Sequence, residues 1–229
     1  MALLVFDLDG TLVDPLPGVV HAVAATCQAF ELRQPNVSEI RPYIGPSVRG
    51  LFMALSGAAE GSDRLREIMA HYWRVFDDES VYEHRVYEGA ALMLGRLKRQ
   101  DHRVVVITAK PAPFARKVAH HLDLNLFIDE LYGPAPTEPW PGKVAFVETL
   151  REQGLLNPPG YFIGDRRDDM RAAVACGFKA LGVTWGFGSQ DELRQGGTDH
   201  LFQSIESLDR WLAQELPGPE IRELLNRAE

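Results

Sequence analysis

Four polar groups interrupt an otherwise apolar pattern where chemistry could be done: Asp7 with Asp9, then Thr108, then Lys143, then Asp165 with Asp168 and Asp169. The first group ends the run Leu3-Leu4-Val5-Phe6 and continues as Asp7-Leu8-Asp9-Gly10-Thr11. Alternate residues of a strand share a face, so Asp7 and Asp9 lean toward one centre if the strand runs on briefly. Asp9-Gly10 alone reads as turn chemistry. Asp7 does not, because it closes a hydrophobic strand, where an unpaired charge is costly. Asp7, Asp9, Asp165 and Asp169 are too many carboxylates for one uncompensated pocket, since like charges raise each other's pKa. A hard divalent cation with oxygen ligands resolves the conflict, and Mg²⁺ suits one or two carboxylates plus a phosphate. Thr108 offers a hydroxyl donor and Lys143 a fixed positive charge to phosphate oxygens. The set points to metal-assisted phosphoryl chemistry. Each member alone has a plainer explanation: Thr108 as a strand-end cap, Lys143 as a solvated first-turn lysine, and the Asp165–Asp169 run as an acidic first turn favoured by the helix dipole.

For these residues to meet, the elements between them must form one sheet. Arg103 to Thr108 is a β-branched strand, Val-Val-Val-Ile ending in a hydroxyl. A third strand is expected over 126–132, a fourth over 161–163 ending in Gly164-Asp165, and a fifth over 180–185, with a short one near 200–202. Helices are expected over 89–99, 111–122, 142–153, 168–176 (with Gly177 as C-cap), 190–195 and 205–215. Alternating strands and helices imply a parallel sheet with right-handed crossovers, whose C-terminal edge gathers residues far apart in sequence. The fold class is therefore α/β, a doubly wound Rossmann-like parallel sheet. Between the first strand and the rest the texture differs. Pro15 and Pro17 forbid a continuing helix or central strand there. Helical spacing then runs over 19–30, a short helix capped by Ser38 follows, and further helices cover 48–55 and 63–76. No convincing strand falls between residues 15 and 86. The expected organisation is a core of residues 1–14 and 87–229 with a helical domain of residues 15–86 inserted after the first strand. The segment 133–141 reads as a proline-rich loop.

Composition narrows the function classes. The 229 residues carry 24 basic and 32 acidic side chains, a net charge of −8, and no dense Lys/Arg block, so nucleic acid and anionic membranes are not expected partners. Two cysteines, Cys27 and Cys176, lie far apart and suggest no disulfide framework. The N-terminus lacks the pattern of a signal peptide, and no apolar run is long enough to span a bilayer. A soluble cytoplasmic protein is expected, monomeric or homodimeric.

The motifs resemble those of the haloacid dehalogenase superfamily, most closely its phosphoglycolate phosphatase-like members with a helical cap. Asp7-Leu8-Asp9-Gly10-Thr11 resembles the family's first motif, Thr108 in Val-Ile-Thr-Ala-Lys the second, Lys143 the third, and Gly164-Asp165-Arg166-Arg167-Asp168-Asp169 the fourth. Trp185-Gly186-Phe187-Gly188 resembles the loop after the fifth strand. The resemblance implies an Mg²⁺-dependent phosphatase acting on a small phosphorylated metabolite, possible substrates including 2-phosphoglycolate. It implies Asp7 as a nucleophile forming an aspartyl-phosphate and Asp9 as general acid and base. Mg²⁺ would be held by Asp7, the Asp9 carbonyl and Asp165, with Asp169 orienting ligands or Lys143. Thr108 and Lys143 would neutralise phosphoryl charge. The helical insert would act as a cap, with Gly10, Thr11, Ala109, Tyr43 and Arg49 as candidate substrate contacts and His21 the next position to consider. Arg49, in the turn Tyr43-Ile44-Gly45-Pro46-Ser47-Val48-Arg49, is expected to meet a second acidic group on the substrate.

Other readings stay open. A sugar phosphomutase shares the four motifs, and a binding protein could sit on the same scaffold, although every polar position is filled. A 2-haloacid dehalogenase would leave Asp9 idle. A phosphonatase would need a cap lysine, and residues 15–86 contain none.

Overall fold

The computed structural model describes residues 1–45, 47–136 and 140–217. Its first strand, β1 (Leu3–Phe6), is buried along its whole length, as four consecutive apolar residues require. A two-residue strand β2 (Val13–Asp14) leads into four helices, α1 (Leu16–Ala29), α2 (Val37–Ile40), α3 (Val48–Ser56) and α4 (Asp63–Asp78). The chain returns through β3 (Arg85–Val86), antiparallel to β2 with Val13 opposite Val86. It then alternates: α5 (Ala90–Arg99), β4 (Arg103–Ile107), α6 (Ala112–His121), β5 (Glu130–Tyr132), α7 (Lys143–Glu152), β6 (Tyr161–Gly164), α8 (Arg167–Cys176), β7 (Lys179–Val183), α9 (Gln190–Gly196), β8 (His200–Phe202) and α10 (Ile205–Glu215).

The six longer strands form one parallel sheet in the order β5-β4-β1-β6-β7-β8. This is the expected doubly wound α/β core. β1 is central because the chain builds β4 and β5 on one side of it and then crosses to lay β6, β7 and β8 on the other. Alternation along the strands divides the core. Leu4, Phe6, Val104, Val106 and Ile163 join the layer that continues into the helical insert, while Leu3, Val5, Val105, Ile107 and Phe162 pack on the layer containing Val147 of α7 and Met170 of α8.

Helices of residues 16–78 pack against the sheet's own helices and loops. Trp73 of α4 stacks flat on Phe114 of α6, with ring centroids 4.6 Å apart. Beside them, Lys117 donates to the Asp77 carbonyl at 2.6 Å and to its carboxylate at 2.9 Å. On the other flank the Arg41 guanidinium lies 4.9 Å from the Phe187 ring centroid, and Arg166 donates to the Pro42 carbonyl at 3.5 Å.

Several local expectations are corrected. Pro17 does not delay α1, which begins at Leu16; the first helical turn has no intrahelical use for its N–H groups, so proline is tolerated there. The cap of α2 is Asn36 rather than Ser38: its carboxamide accepts from Glu39 N at 3.1 Å while the Glu39 carboxylate accepts from Asn36 N at 2.9 Å. The third strand starts at Glu130, not Leu126. Asp129 takes the Val104 N–H on its carboxylate at 2.7 Å, so ladder pairing begins one residue later. The β2–β3 ribbon was not legible, being too short to show periodicity. Pro46 and residues 137–139, in two of the loops singled out above, lie outside the described residues. Cys27 and Cys176 are both buried and unbridged. No helix among the described residues is long and apolar enough to cross a membrane.

Candidate active site

β1 lies between β4 and β6, so the residues leaving these three strands meet at one edge: Asp7 after β1, Thr108 after β4 and Asp165 after β6. Asp7 N donates to the Ile163 carbonyl at 2.9 Å, which extends the ladder by one residue and fixes the aspartate at the strand's mouth. Lys143, the first residue of α7, and Asp169, in the first turn of α8, enter from the helices behind. All five side chains are buried.

Each carboxylate has partners that differ in kind. Lys143 Nζ lies 2.8 Å from Asp7 Oδ1 and also contacts Asp169 Oδ1. The other Asp169 oxygen accepts the Arg166 N–H at 2.8 Å. Asp165 accepts from the Thr11 hydroxyl at 3.1 Å and from Phe187 N at 2.8 Å. Backbone packs tightly around it: Gly10 has φ +89°, and a Cβ built there would stand 2.4 Å from Asp165 Oδ2, as would one at Gly186.

Burial pushes the carboxyl groups of Asp7 and Asp165 upward, with Lys143 opposing the rise at Asp7 and the neighbouring aspartates adding to it at Asp165. Burial also pushes Asp169 up, to about 6, against the pull of Lys143. For Lys143 burial works against its charge, but Asp169 and Asp7 together outweigh it and hold the ammonium above the usual lysine value. Asp7 and Asp169 thus share the Lys143 ammonium, while Asp165 has only neutral hydrogen-bond donors among the described residues. One oxygen each from Asp7, Asp165 and Asp169 lies within 4.8 Å of the others. This donor set is all oxygen and short of positive charge, which fits a hard divalent ion such as Mg²⁺.

Asp9 belongs to a different network. Lys110 Nζ reaches both its carboxylate oxygens at 2.9 Å and also donates to His84 Nε2 at 2.8 Å. His84 Nδ1–H in turn donates to the Ser80 carbonyl at 3.2 Å. Burial holds the His84 imidazole well below its usual range, and the Lys110 charge adds to this, so the ring is neutral. Neither Lys110 nor His84 stands out from the sequence alone as a site residue. The available signal was a lysine two residues past Thr108, at the end of a strand buried on both faces.

Asp7, Asp9, Thr108 and Ala109 line one end of a cavity of about 370 Å³ between sheet edge and insert. Tyr43, Met53, Met69, Tyr72 and Trp73 also line it, as does Trp140, which borders a smaller pocket beside Asp7 and Lys143. Arg49 also lines it, with its guanidinium 3.3 Å from the Glu60 carboxylate. Gly10 and Thr11 sit against Asp165 rather than on the cavity wall. His21 is engaged elsewhere, with Glu83 at 2.5 Å and Glu79 at 3.4 Å.

Comparisons with known proteins agree on the fold and its chemistry. The sequence profile of the haloacid dehalogenase-like hydrolases matches residues 4–183. A 5'-nucleotidase of Pseudomonas aeruginosa is 32% identical over 206 residues, covering 90% of this chain and 92% of its own length. A phosphoglycolate phosphatase of Colwellia psychrerythraea is 29% identical, covering 90% of this chain and 94% of its own. Among solved structures, a haloacid dehalogenase-like family hydrolase from Streptococcus pneumoniae superposes with a TM-score of 0.79 at 27% identity, over 92% of this chain and 98% of the other. With its motifs gathered at one sheet edge and its profile matched over most of its length, the chain belongs to the haloacid dehalogenase-like hydrolase family.

Proposed function

We propose that this protein is a phosphoric monoester hydrolase that works through an aspartyl-phosphate on Asp7 and takes substrates with a neutral, largely apolar or aromatic leaving group, nucleoside 5'-monophosphates first among them. The observation that carries the phosphatase reading is the placement of Asp7. A carboxylate heads a cavity beside a buried lysine, with Asp9 on the same wall at a different distance from solvent and in a different network.

In the first step an Asp7 carboxylate oxygen attacks phosphorus, the bond from phosphorus to the ester oxygen breaks, and Asp9 delivers a proton to the departing oxygen. In the second step Asp9 takes a proton from water, whose oxygen attacks the same phosphorus. The bond from phosphorus to Asp7 breaks and inorganic phosphate leaves. Lys143 and the Thr108 hydroxyl face the phosphoryl oxygens, where negative charge must be neutralised. Asp7, Asp165 and the Asp9 carbonyl would hold Mg²⁺, with Asp169 steadying Lys143. Bound there, the ion would offset phosphoryl charge and let the neighbouring carboxylates ionise. The insert of residues 15–86, entered and left through the β2–β3 ribbon, serves as the cap over the cavity.

The leaving-group preference rests on the far wall. A carboxylate such as that of 2-phosphoglycolate needs a free cation beyond the phosphate. Among the described residues, Arg49 is the one cation lining the cavity besides Lys110, and both are already paired. Aromatic and methionine side chains around it suit a planar base. The identity to a 5'-nucleotidase supports this reading. The Colwellia phosphoglycolate phosphatase favours a second, in which Arg49 releases Glu60 to bind a carboxylate. Phosphate release with Mg²⁺ across nucleoside monophosphates, sugar phosphates and 2-phosphoglycolate separates the two. The proposal fails if 2-phosphoglycolate gives the highest kcat/KM.

A further inference from the structure

The buried residues that the mechanism leaves without work are Lys110 and His84, which link Asp9 to the Ser80 carbonyl. Three features set it apart from an ordinary ion pair. Lys110 and His84 are 7% and 3% exposed, so the pair is hidden from the solvent that makes surface ion pairs weak. The Lys110 ammonium spends its donors on both oxygens of one carboxylate and on a histidine nitrogen, and it also faces the Phe76 ring 4.8 Å from its centroid. Finally, the network joins separate parts of the chain. Asp9 follows β1, Lys110 follows β4, and Ser80 and His84 belong to the stretch returning from α4 to β3.

We propose that Lys110 is a positioning residue for Asp9, and that His84 fixes Lys110 in that task, so that the orientation of the acid–base carboxylate is tied to the segment that closes the helical insert. The physical argument is one of geometry. Asp9 lies in the buried turn that leaves β1, and its carboxylate has no backbone donor to lock its rotamer among the contacts described. Lys110 is itself a long, flexible side chain, and a lysine holding a carboxylate in a set place needs its own remaining donor fixed. His84 does this because its tautomer is determined: Nδ1–H is committed to the Ser80 carbonyl, which leaves Nε2 as an acceptor aimed at Nζ. The Phe76 ring closes another approach to the ammonium.

This inference rests on the phosphatase reading above. The test compares two aryl esters of similar shape, phenyl phosphate and p-nitrophenyl phosphate, in single-turnover release of the phenol with Mg²⁺. Release of p-nitrophenolate needs little help from a proton donor, whereas phenol depends on it. Displacing a catalytic group by about 1 Å costs on the order of 10²-fold. Lys110→Met is expected to slow phenol release by about that factor while p-nitrophenolate release falls no more than about threefold. Lys110→Arg should recover part of the phenol rate. His84→Leu should show the same selectivity with a smaller loss. Equal losses on both esters, or an unchanged phenol rate, overturn the proposal. Should Lys110→Met fail to fold, His84→Leu decides by the same criterion, because His84 touches neither substrate nor Asp9. A wild-type protein inactive on both esters overturns the phosphatase reading, and this inference with it.

Discussion

Asp7 Oδ1 and Lys143 Nζ lie 2.8 Å apart, with side chains only 3% and 6% exposed. The pair links the end of a central strand to the first residue of a helix 136 positions later. Removing both charges from water is expensive, and their attraction repays that only with good geometry and further partners. Asp169 supplies the further partner on the lysine side. It also brings a second carboxylate, so the site is arranged for charge binding at the expense of stability.

Asp7→Asn is expected to abolish turnover while the fold persists. The substitution keeps the shape of a residue held by its Asp7 N–H to Ile163 carbonyl bond. Loss of a covalent nucleophile costs on the order of 10³-fold or more in kcat. Phosphate release and a thermal melt on one preparation check this; near-wild-type turnover in folded protein would contradict the aspartyl-phosphate.

Lys143→Met should damage stability as well as activity. It leaves Asp7 and Asp169 buried with their shared cation gone, and stripping one partner from a buried pair costs about 3–5 kcal/mol. The loss should shrink when Mg²⁺ is added, since a divalent ion restores positive charge among the same oxygens. Urea unfolding of the variant with and without Mg²⁺ measures both effects. A variant as stable as wild type in chelator would mean that the carboxylates are not charged together.

How much of this was readable in advance depended on residue type. Asp7 was legible because a carboxylate ending an apolar strand has no structural reason to be there, whereas Asp9 and Asp165 each had a plainer reading alone and gained weight only as a set. Lys143 was legible only as one lysine beside a proline-rich loop, and the structure brings it to Asp7. The parallel sheet followed from strand–helix alternation; its strand order, with β1 between β4 and β6, did not. Three things were hidden for physical reasons. Pro17 looked like a barrier because a first-turn proline and an interior one differ only by position. The β2–β3 ribbon is two residues on each side, below any periodicity. The Arg49–Glu60 contact spans eleven residues, and nothing in the sequence indicates that Glu60 folds back to within 3.3 Å of that guanidinium.

Stability without metal should rise on mild acidification. The folded-state value for Asp169 is raised by burial from 3.8 to about 6. Between these two values the folded protein binds more protons than the unfolded chain, so stability falls as pH rises through about 6 and is regained toward 3.8. Asp165, also raised by burial, acts in the same direction. Denaturant unfolding in chelator across that window should show this slope in wild type and a flatter one in Asp169→Asn. Equal slopes would assign the pH dependence to other groups.

Chelation should remove activity, and Mg²⁺ should restore it better than Ca²⁺. The compact oxygen cluster of Asp7 and Asp165 suits a small octahedral ion, whereas Ca²⁺ takes more ligands at longer distances and would crowd the nucleophile. Because the ligands must be ionised to bind, more Mg²⁺ should be needed as the pH falls. Full turnover after exhaustive chelation would remove the metal from the account.

The Arg49–Glu60 pair gives the sharpest test of the substrate. Arg49 is the cation on the far wall of the cavity, and Glu60 holds it at 3.3 Å. If the wild-type cavity takes neutral leaving groups because that charge is cancelled, releasing it should change the preference. Glu60→Gln removes the carboxylate and keeps the side chain's size. The freed guanidinium then offers a two-pronged donor to a substrate carboxylate. Arg49 and Glu60 side chains are 31% and 60% exposed, so solvent screens much of the gain. An effect near the upper end for exposed pairs, about 1 kcal/mol or roughly fivefold, is the reasonable size. The ratio of kcat/KM for 2-phosphoglycolate to that for a nucleoside 5'-monophosphate should therefore rise about fivefold in Glu60→Gln, mainly through KM. Arg49→Ala should leave the nucleotide rate nearly unchanged and 2-phosphoglycolate no better than in wild type. If Arg49→Ala instead depresses 2-phosphoglycolate alone, Arg49 already releases Glu60 during catalysis, and the carboxylate-bearing substrate is the natural one.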